Sequence, residues 1–188
     1  DDLIKQANPV YSGYFLHNHR DLQLRLNKLH SNGIPTLLIG VTYALLDFVD
    51  KYPIQFPGLI VMETGGMKGK RKEMVRDELH EILCHGFGVE NIHSEYGMTE
   101  LLSQAYSKGK GAFFCPPWMK VLVRDVNDPL TMLPTNRSGG INVIDLANLH
   151  SCSFIATQDL GMVNSDGSFT IIGRFDQSDI RGCNLLVQ

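Results

Sequence analysis

Apolar residues recur along the chain first with helical and then with strand spacing. Within residues 18–29, Leu22, Leu24, Leu26 and Leu29 mark an amphipathic helix, and Asn32-Gly33 supplies its stop. Residues 35–41 (PTLLIGV) form an uninterrupted apolar run, the pattern of a strand buried in a parallel sheet. Thr42 suits the cap of a helix over 43–52, ended by Pro53. A second buried strand is predicted at 59–62 (LIVM). A helix then spans 71–85, with Val75, Leu79, Ile82 and Leu83 on its apolar face and Gly86 as its stop. A third strand covers 91–96. From about residue 112 the pattern is strand and turn: 119–126 alternates, Asn127-Asp128-Pro129 turns the chain, and 141–146 is a further strand. Ser165-Asp166-Gly167 predicts a hairpin between short strands ending near 172. The fold class is α/β, a parallel sheet flanked by helices followed by a smaller, mostly antiparallel β region. The division is 1–110, an α/β subdomain, and 111–188, a β-rich one.

Composition narrows the function classes. The 188 residues are 43% hydrophobic and 20% charged, which argues against disorder. No apolar run approaches the roughly 18 residues of a membrane helix. With 17 basic and 20 acidic residues the net charge is −3, so no global field for nucleic acid or membrane arises. Cys84, Cys115, Cys152 and Cys183 form no CxxC pair and are expected as reduced thiols of a cytoplasmic protein. No signal peptide opens the chain, and its start at Asp1 suits a trimmed or partial product.

Four segments carry candidate chemistry. Glu63-Thr64-Gly65-Gly66-Met67-Lys68-Gly69-Lys70 follows a predicted strand, where open α/β sheets bind ligands. It lacks the spacing of a phosphate-binding P-loop, and a tight strand-to-helix turn explains it as well as ligand contact does. Tyr96-Gly97-Met98-Thr99-Glu100 offers an aromatic ring for a base, a glycine for close approach, a hydroxyl for phosphate and a carboxylate for Mg²⁺. Thr157-Gln158-Asp159-Leu160-Gly161 and Gly173-Arg174-Phe175-Asp176 offer a carboxylate for ribose hydroxyls and a guanidinium fork beside it. Singly, Asp159 also reads as a turn cap and Gly173-Arg174 as a hairpin end. His80 and His85 resemble a zinc helix, but their i, i+5 spacing sets them about 140° apart. The reading is a surface His80 and a helix-end His85. Lys68, Lys70, Arg71, Lys72 and Arg76 form a basic cluster, read as a solvated helix start or as a docking surface for a carrier or a pantetheine phosphate.

The order YGMTE, TQDLG, DG, GRFDQSDIRG resembles the adenylate-forming superfamily of acyl and aryl ligases over about residues 35–186. The resemblance implies ATP and Mg²⁺ as cofactors and a carboxylic acid as substrate. It makes Tyr96 the adenine-stacking residue, with Gly97 and Met98 beside it. Thr99 becomes the phosphate contact, Glu100 the metal ligand and Asp159 with Arg174 the ribose pair. Gly65 and Gly66 fall at the loop beside adenine, Val41, Thr42 and Leu45 at the acid pocket, and Asp176 at the hinge between large and small domains. Gln158 departs from the family's glycine. The upstream phosphate loop and the C-terminal domain with its lysine are absent from the 188 residues.

The segment Arg181-Gly182-Cys183-Asn184-Leu185-Leu186 is similar to the closing R-G-C-x-L-L of LuxE-type acyl-protein synthetases. That likeness implies that the chain is the C-terminal half of a protein that activates a fatty acid with ATP. The acyl group would pass to Cys183 and on to an acyl-accepting or reductase protein. Two other functions fit the same residues: a phenylacetate-CoA-ligase-like enzyme, and a non-catalytic nucleotide-binding or interaction module.

Overall fold

A computed structural model describes residues 5–67, 69–72 and 74–175. Helix α1 (His19–Ser31) turns Leu22, Leu26 and Leu29 into the core and leaves Leu24 outside. Strand β1 (Thr36–Val41) runs into α2 (Thr42–Lys51), β2 (Leu59–Thr64) into α3 (Arg76–Phe87), and β3 (Ile92–Tyr96) follows. β1 pairs parallel with β2, and β2 with β3. The helices α1–α3 share one core with Leu59 and Val61 of β2 and Ile92 of β3, so they cover one face of these strands.

Among the described residues ten strands form a single sheet. After β3 come β4 (Ala105–Ser107), β5 (Phe113–Phe114), β6 (Met119–Arg124), β7 (Met132–Leu133), β8 (Ser138–Asp145), β9 (Phe154–Val163) and β10 (Phe169–Arg174). Their order is β1-β2-β3-β4-β5-β10-β9-β8-β6-β7, antiparallel from β3 onward. This is the predicted α/β layer followed by an antiparallel region, joined edge to edge. A second apolar cluster, around Phe113, Ile141, Val143 and Phe169, holds the antiparallel part. The β9–β10 hairpin turns at the predicted Ser165-Asp166-Gly167, where Gly167 takes φ 84°. Among the described residues no helix is long and apolar enough to cross a membrane.

Four local expectations are corrected. The apolar runs of β1 and β2 are covered on one face only, and Leu37, Ile39 and Ile60 are 44–47% exposed on the other. Thr42 does not cap α2. Val41 stands at the N-cap without a side-chain bond, because the Thr42 hydroxyl is committed to Glu63. Helix α3 starts at Arg76 rather than 71, since Val75 is extended and 42% exposed. It ends at Gly88, which takes the left-handed φ of 66°, and not at Gly86.

Gly86 lies within the helix for a packing reason. A Cβ there would stand 2.5 Å from Cβ of Val49 on α2, so the two helices approach through the missing side chain. Alanine is the better helix former by about 1 kcal/mol, but overpacking a close contact costs about 1–3 kcal/mol. Gly86→Ala is therefore expected to lower the thermal unfolding midpoint, and Val49→Ala in the same chain to recover part of the loss. A raised midpoint in the single variant contradicts this packing.

Candidate active site

The three parallel strands end on the same edge of the sheet, and the predicted loops leave from those ends. Ligands of open α/β sheets bind at such carboxyl ends. Gly65 takes φ 74°, which side-chain-bearing residues rarely adopt, and nothing lies within 4 Å of a Cβ built on Gly66. That loop is tied back by Met67, which is buried, and by Arg71, which pairs with Asp47 at 2.6 Å and with Asp50, both on α2. Arg71 thus leaves the solvated basic cluster, and Arg76 also turns inward, 5.2 Å from the ring centre of Phe113. Val41 is half-buried, whereas Thr42 and Leu45 are buried. Leu45 packs over Gly40, where a Cβ would lie 2.7 Å from its Cδ2.

Tyr96, Asp159 and Arg174 come together although 63 residues separate the first two. The Tyr96 hydroxyl donates to Asp159 Oδ2 at 2.7 Å, and Arg174 Nε stands 3.7 Å from Asp159 Oδ1. Asp159 and Arg174 face each other in the β9–β10 register. The short strands β4 and β5 bring β3 alongside this hairpin. The Tyr96 ring packs edge-on to Phe169, with centres 5.2 Å apart, and tilted on Phe113. Burial and the Asp159 charge push the phenol far above its ordinary range, so it remains a donor. Gly161, on the same hairpin, is required by packing, since a Cβ there would meet the Thr170 carbonyl oxygen at 2.3 Å.

The chain leaves Tyr96 through exposed Gly97 and half-buried Met98 into a turn that exposes Thr99 and Glu100. Leu101 N–H closes that turn on the Met98 carbonyl at 3.1 Å. Cys183, Asp176 and Lys68 lie outside the described residues. Cys84 and Cys115 are half-buried, with burial raising both thiol pKa values, and Cys152 is exposed.

Three buried polar groups escaped the motif reading. Glu63 sits in register between Gly40 and Ser94 on the helix-covered face. Its Oε2 accepts from Thr42 at 2.8 Å, and its Oε1 is 3.8 Å from His80 Nε2. Burial raises its pKa, but bonds from His80, Ser94 and Thr42 and the charge of Arg76 outweigh that and hold it below the ordinary range. His80 is therefore turned inward, not on the surface as expected. Arg124 donates to the carbonyls of Ile141 at 2.7 Å and Thr157 at 2.6 Å, beneath the segment that carries Asp159. An arginine in the alternating run MKVLVR is the one sequence signal for it. Asp145 is fully buried and accepts bonds from the segment after Glu100.

The residues fit a nucleotide. Among the described residues Arg174 Nε is a buried donor without a hydrogen-bond partner, beside a carboxylate. A sugar hydroxyl, which both donates and accepts, satisfies such a pair. The described residues contain no group of three metal-binding side chains. An exposed Glu100 suits the coordination habit of Mg²⁺, which takes one or two carboxylates and completes its shell with phosphate and water.

The backbone is similar to that of adenylate-forming enzymes. ATP-bound MatB from Rhodopseudomonas palustris matches with a TM-score of 0.61 and 18% identity, over 85% of this chain and 34% of its own. O-succinylbenzoate coenzyme A synthetase from Bacillus subtilis matches with a TM-score of 0.58 and 17% identity, over 86% and 37%. By sequence the chain is similar to the long-chain-fatty-acid–luciferin-component ligase of Vibrio harveyi, 26% identical over 178 residues, 85% of this chain and 46% of the relative. The motif resemblance to the adenylate-forming superfamily, and to its LuxE-type branch, thus extends over most of the chain. The chain spans about half the length of the Vibrio ligase. No protein-family model matches it.

Proposed function

We propose that the chain is part of an ATP-dependent ligase that activates a long-chain fatty acid and transfers the acyl group to a protein cysteine. The observation that carries the reading is the Tyr96–Asp159–Arg174 cluster, with its unpartnered donor beside a carboxylate. The 26% likeness to a fatty-acid ligase supports the substrate class. Asp159 accepts from ribose hydroxyls and Arg174 donates to them. Tyr96 lies under adenine next to Gly65 and Gly66, and Thr99 donates to phosphate. Glu100 would hold Mg²⁺, which would offset phosphate charge. Residues 1–110 then carry the acyl and nucleotide loops, and 111–188 the ribose motifs and the carrier cysteine.

A fatty-acid carboxylate oxygen bonds to the α-phosphorus of ATP, the bond to the β-phosphate oxygen breaks, and pyrophosphate leaves. Positioning and charge stabilisation do most of this chemistry. The Cys183 thiolate then attacks the acyl carbonyl, AMP leaves, and a thioester remains for a partner reductase. Arg181 stands two residues earlier in the sequence, and a guanidinium beside a thiol would favour the thiolate.

The test is to incubate the intact protein with ATP, Mg²⁺ and radiolabelled fatty acid, then treat it with neutral hydroxylamine, which cleaves thioesters. The expected result is hydroxylamine-sensitive label on the wild type and none on Cys183→Ser. Label that persists in the variant refutes Cys183 as carrier. Label that appears only on added coenzyme A makes the protein an acyl-CoA ligase.

A further inference from the structure

Beneath the turn that exposes Thr99 and Glu100 lies a set of buried polar side chains that no motif accounts for. Asp145 closes β8 with its side chain fully buried. Its Oδ2 accepts from the backbone N–H groups of Leu102 at 2.9 Å and Ser103 at 2.8 Å. Its Oδ1 accepts from the Ser103 hydroxyl at 2.7 Å and from Ala147 N–H at 3.1 Å. Asn148, 3% exposed, donates from Nδ2 to the Glu100 carbonyl at 2.7 Å and to the Cys152 carbonyl at 2.9 Å. Its Oδ1 accepts from Ser151 at 2.8 Å, which fixes the amide's orientation. Trp118 Nε1 donates to the Ser103 hydroxyl at 2.9 Å.

A buried carboxylate is costly to desolvate unless its oxygens are satisfied, and here four donors satisfy them. All of these bonds end on residues 100–103 or on the loop after β8. The backbone of the turn is gripped at the carbonyl of 100 and the N–H groups of 102 and 103, while the Thr99 and Glu100 side chains stay exposed. Such a grip holds a ligand group in place before its ligand arrives, which is how supporting contacts tune metal and phosphate sites.

We infer that Asp145 and Asn148 are positioning residues that preset the Thr99–Glu100 turn for magnesium-bound nucleotide. The inference rests on the nucleotide reading of that turn given above. Asp145 holds the descending limb of the turn, and Asn148 fixes the peptide of Glu100 itself. Neither side chain touches the nucleotide. Their loss acts on the Mg²⁺-dependent part of binding and leaves the Asp159–Arg174 contribution intact.

The test compares ATP binding by calorimetry with and without Mg²⁺ in wild type, Asn148→Ala and Ser103→Ala. Ser103→Ala removes one bond of the network and guards against an Asn148 variant that does not fold. Thermal unfolding is followed in parallel. The wild type is expected to bind ATP more tightly with Mg²⁺. In the variants that tightening falls about tenfold, a larger loss than the one in Mg²⁺-free affinity, to which only Thr99 of the turn contributes. Deuterium exchange at residues 98–103 should rise in both. Unchanged Mg²⁺ dependence in a folded variant overturns the positioning role and leaves the nucleotide reading standing. A wild type that does not bind ATP overturns both.

Discussion

Glu100→Gln is expected to cut Mg²⁺-dependent adenylation at least about 100-fold, with the thermal unfolding midpoint unchanged. The substitution keeps size and removes charge. The side chain is exposed, and among the described residues only its backbone carbonyl is held, by Asn148. Lost supporting partners alone cost metal sites 10- to about 100-fold, and Glu100 is proposed as a direct ligand. The check is ATP–pyrophosphate exchange by the intact protein, followed against Mg²⁺ concentration, with unfolding measured on the same samples. Exchange that survives at ordinary Mg²⁺ removes Glu100 from the site.

Asp159→Ala is expected to raise the ATP concentration needed for half-maximal exchange by about 10- to 100-fold, because a hydrogen bond to a charged group is lost. A second effect accompanies it. Asp159 accepts the hydroxyl of a buried Tyr96, so the alanine variant also strands that donor and loses stability. Asp159→Asn separates the two, since an amide oxygen still accepts from tyrosine while the charge is gone. Discrimination between ATP and its 2′-deoxy analogue should shrink in both variants. If wild type and variants treat the two nucleotides alike, Asp159 does not read ribose.

The sequence showed most clearly what periodicity or fixed spacing encodes. Leu22, Leu26 and Leu29 of α1, the strand positions of β1 and β2 and the Ser165-Asp166-Gly167 hairpin lie where residue type and spacing placed them, whereas Leu24 and the outer face of both strands do not follow the pattern. The strands of two or three residues, β4, β5 and β7, are too short to carry a period. Yet β4 and β5 are what join the parallel and antiparallel parts and set Tyr96 beside Asp159. Gly86 and Gly88 look alike in sequence. Only the approach of Val49 shows that the first serves packing and the second the helix end. Thr99 and Glu100 stand out in the sequence by residue type and by the order of the motifs, and both lie exposed in the turn after β3. The buried roles of Asp145 and Glu63 do not show in the sequence, because the donors Leu102, Ser103 and Thr42 lie 21 to 43 residues away. Thr42 looked like a cap for the same reason: its hydroxyl partner, Glu63, is 21 residues away.

The proposed role of the cluster at the strand ends, carboxylate activation by ATP, is tested by ATP–pyrophosphate exchange of the intact protein, with and without a long-chain fatty acid. Exchange is expected to require the acid and Mg²⁺ and to be lost in Asp159→Ala at limiting ATP. Tight ATP binding with no acid-dependent exchange, across fatty and aromatic acids alike, would contradict it and leave a nucleotide-binding module in its place.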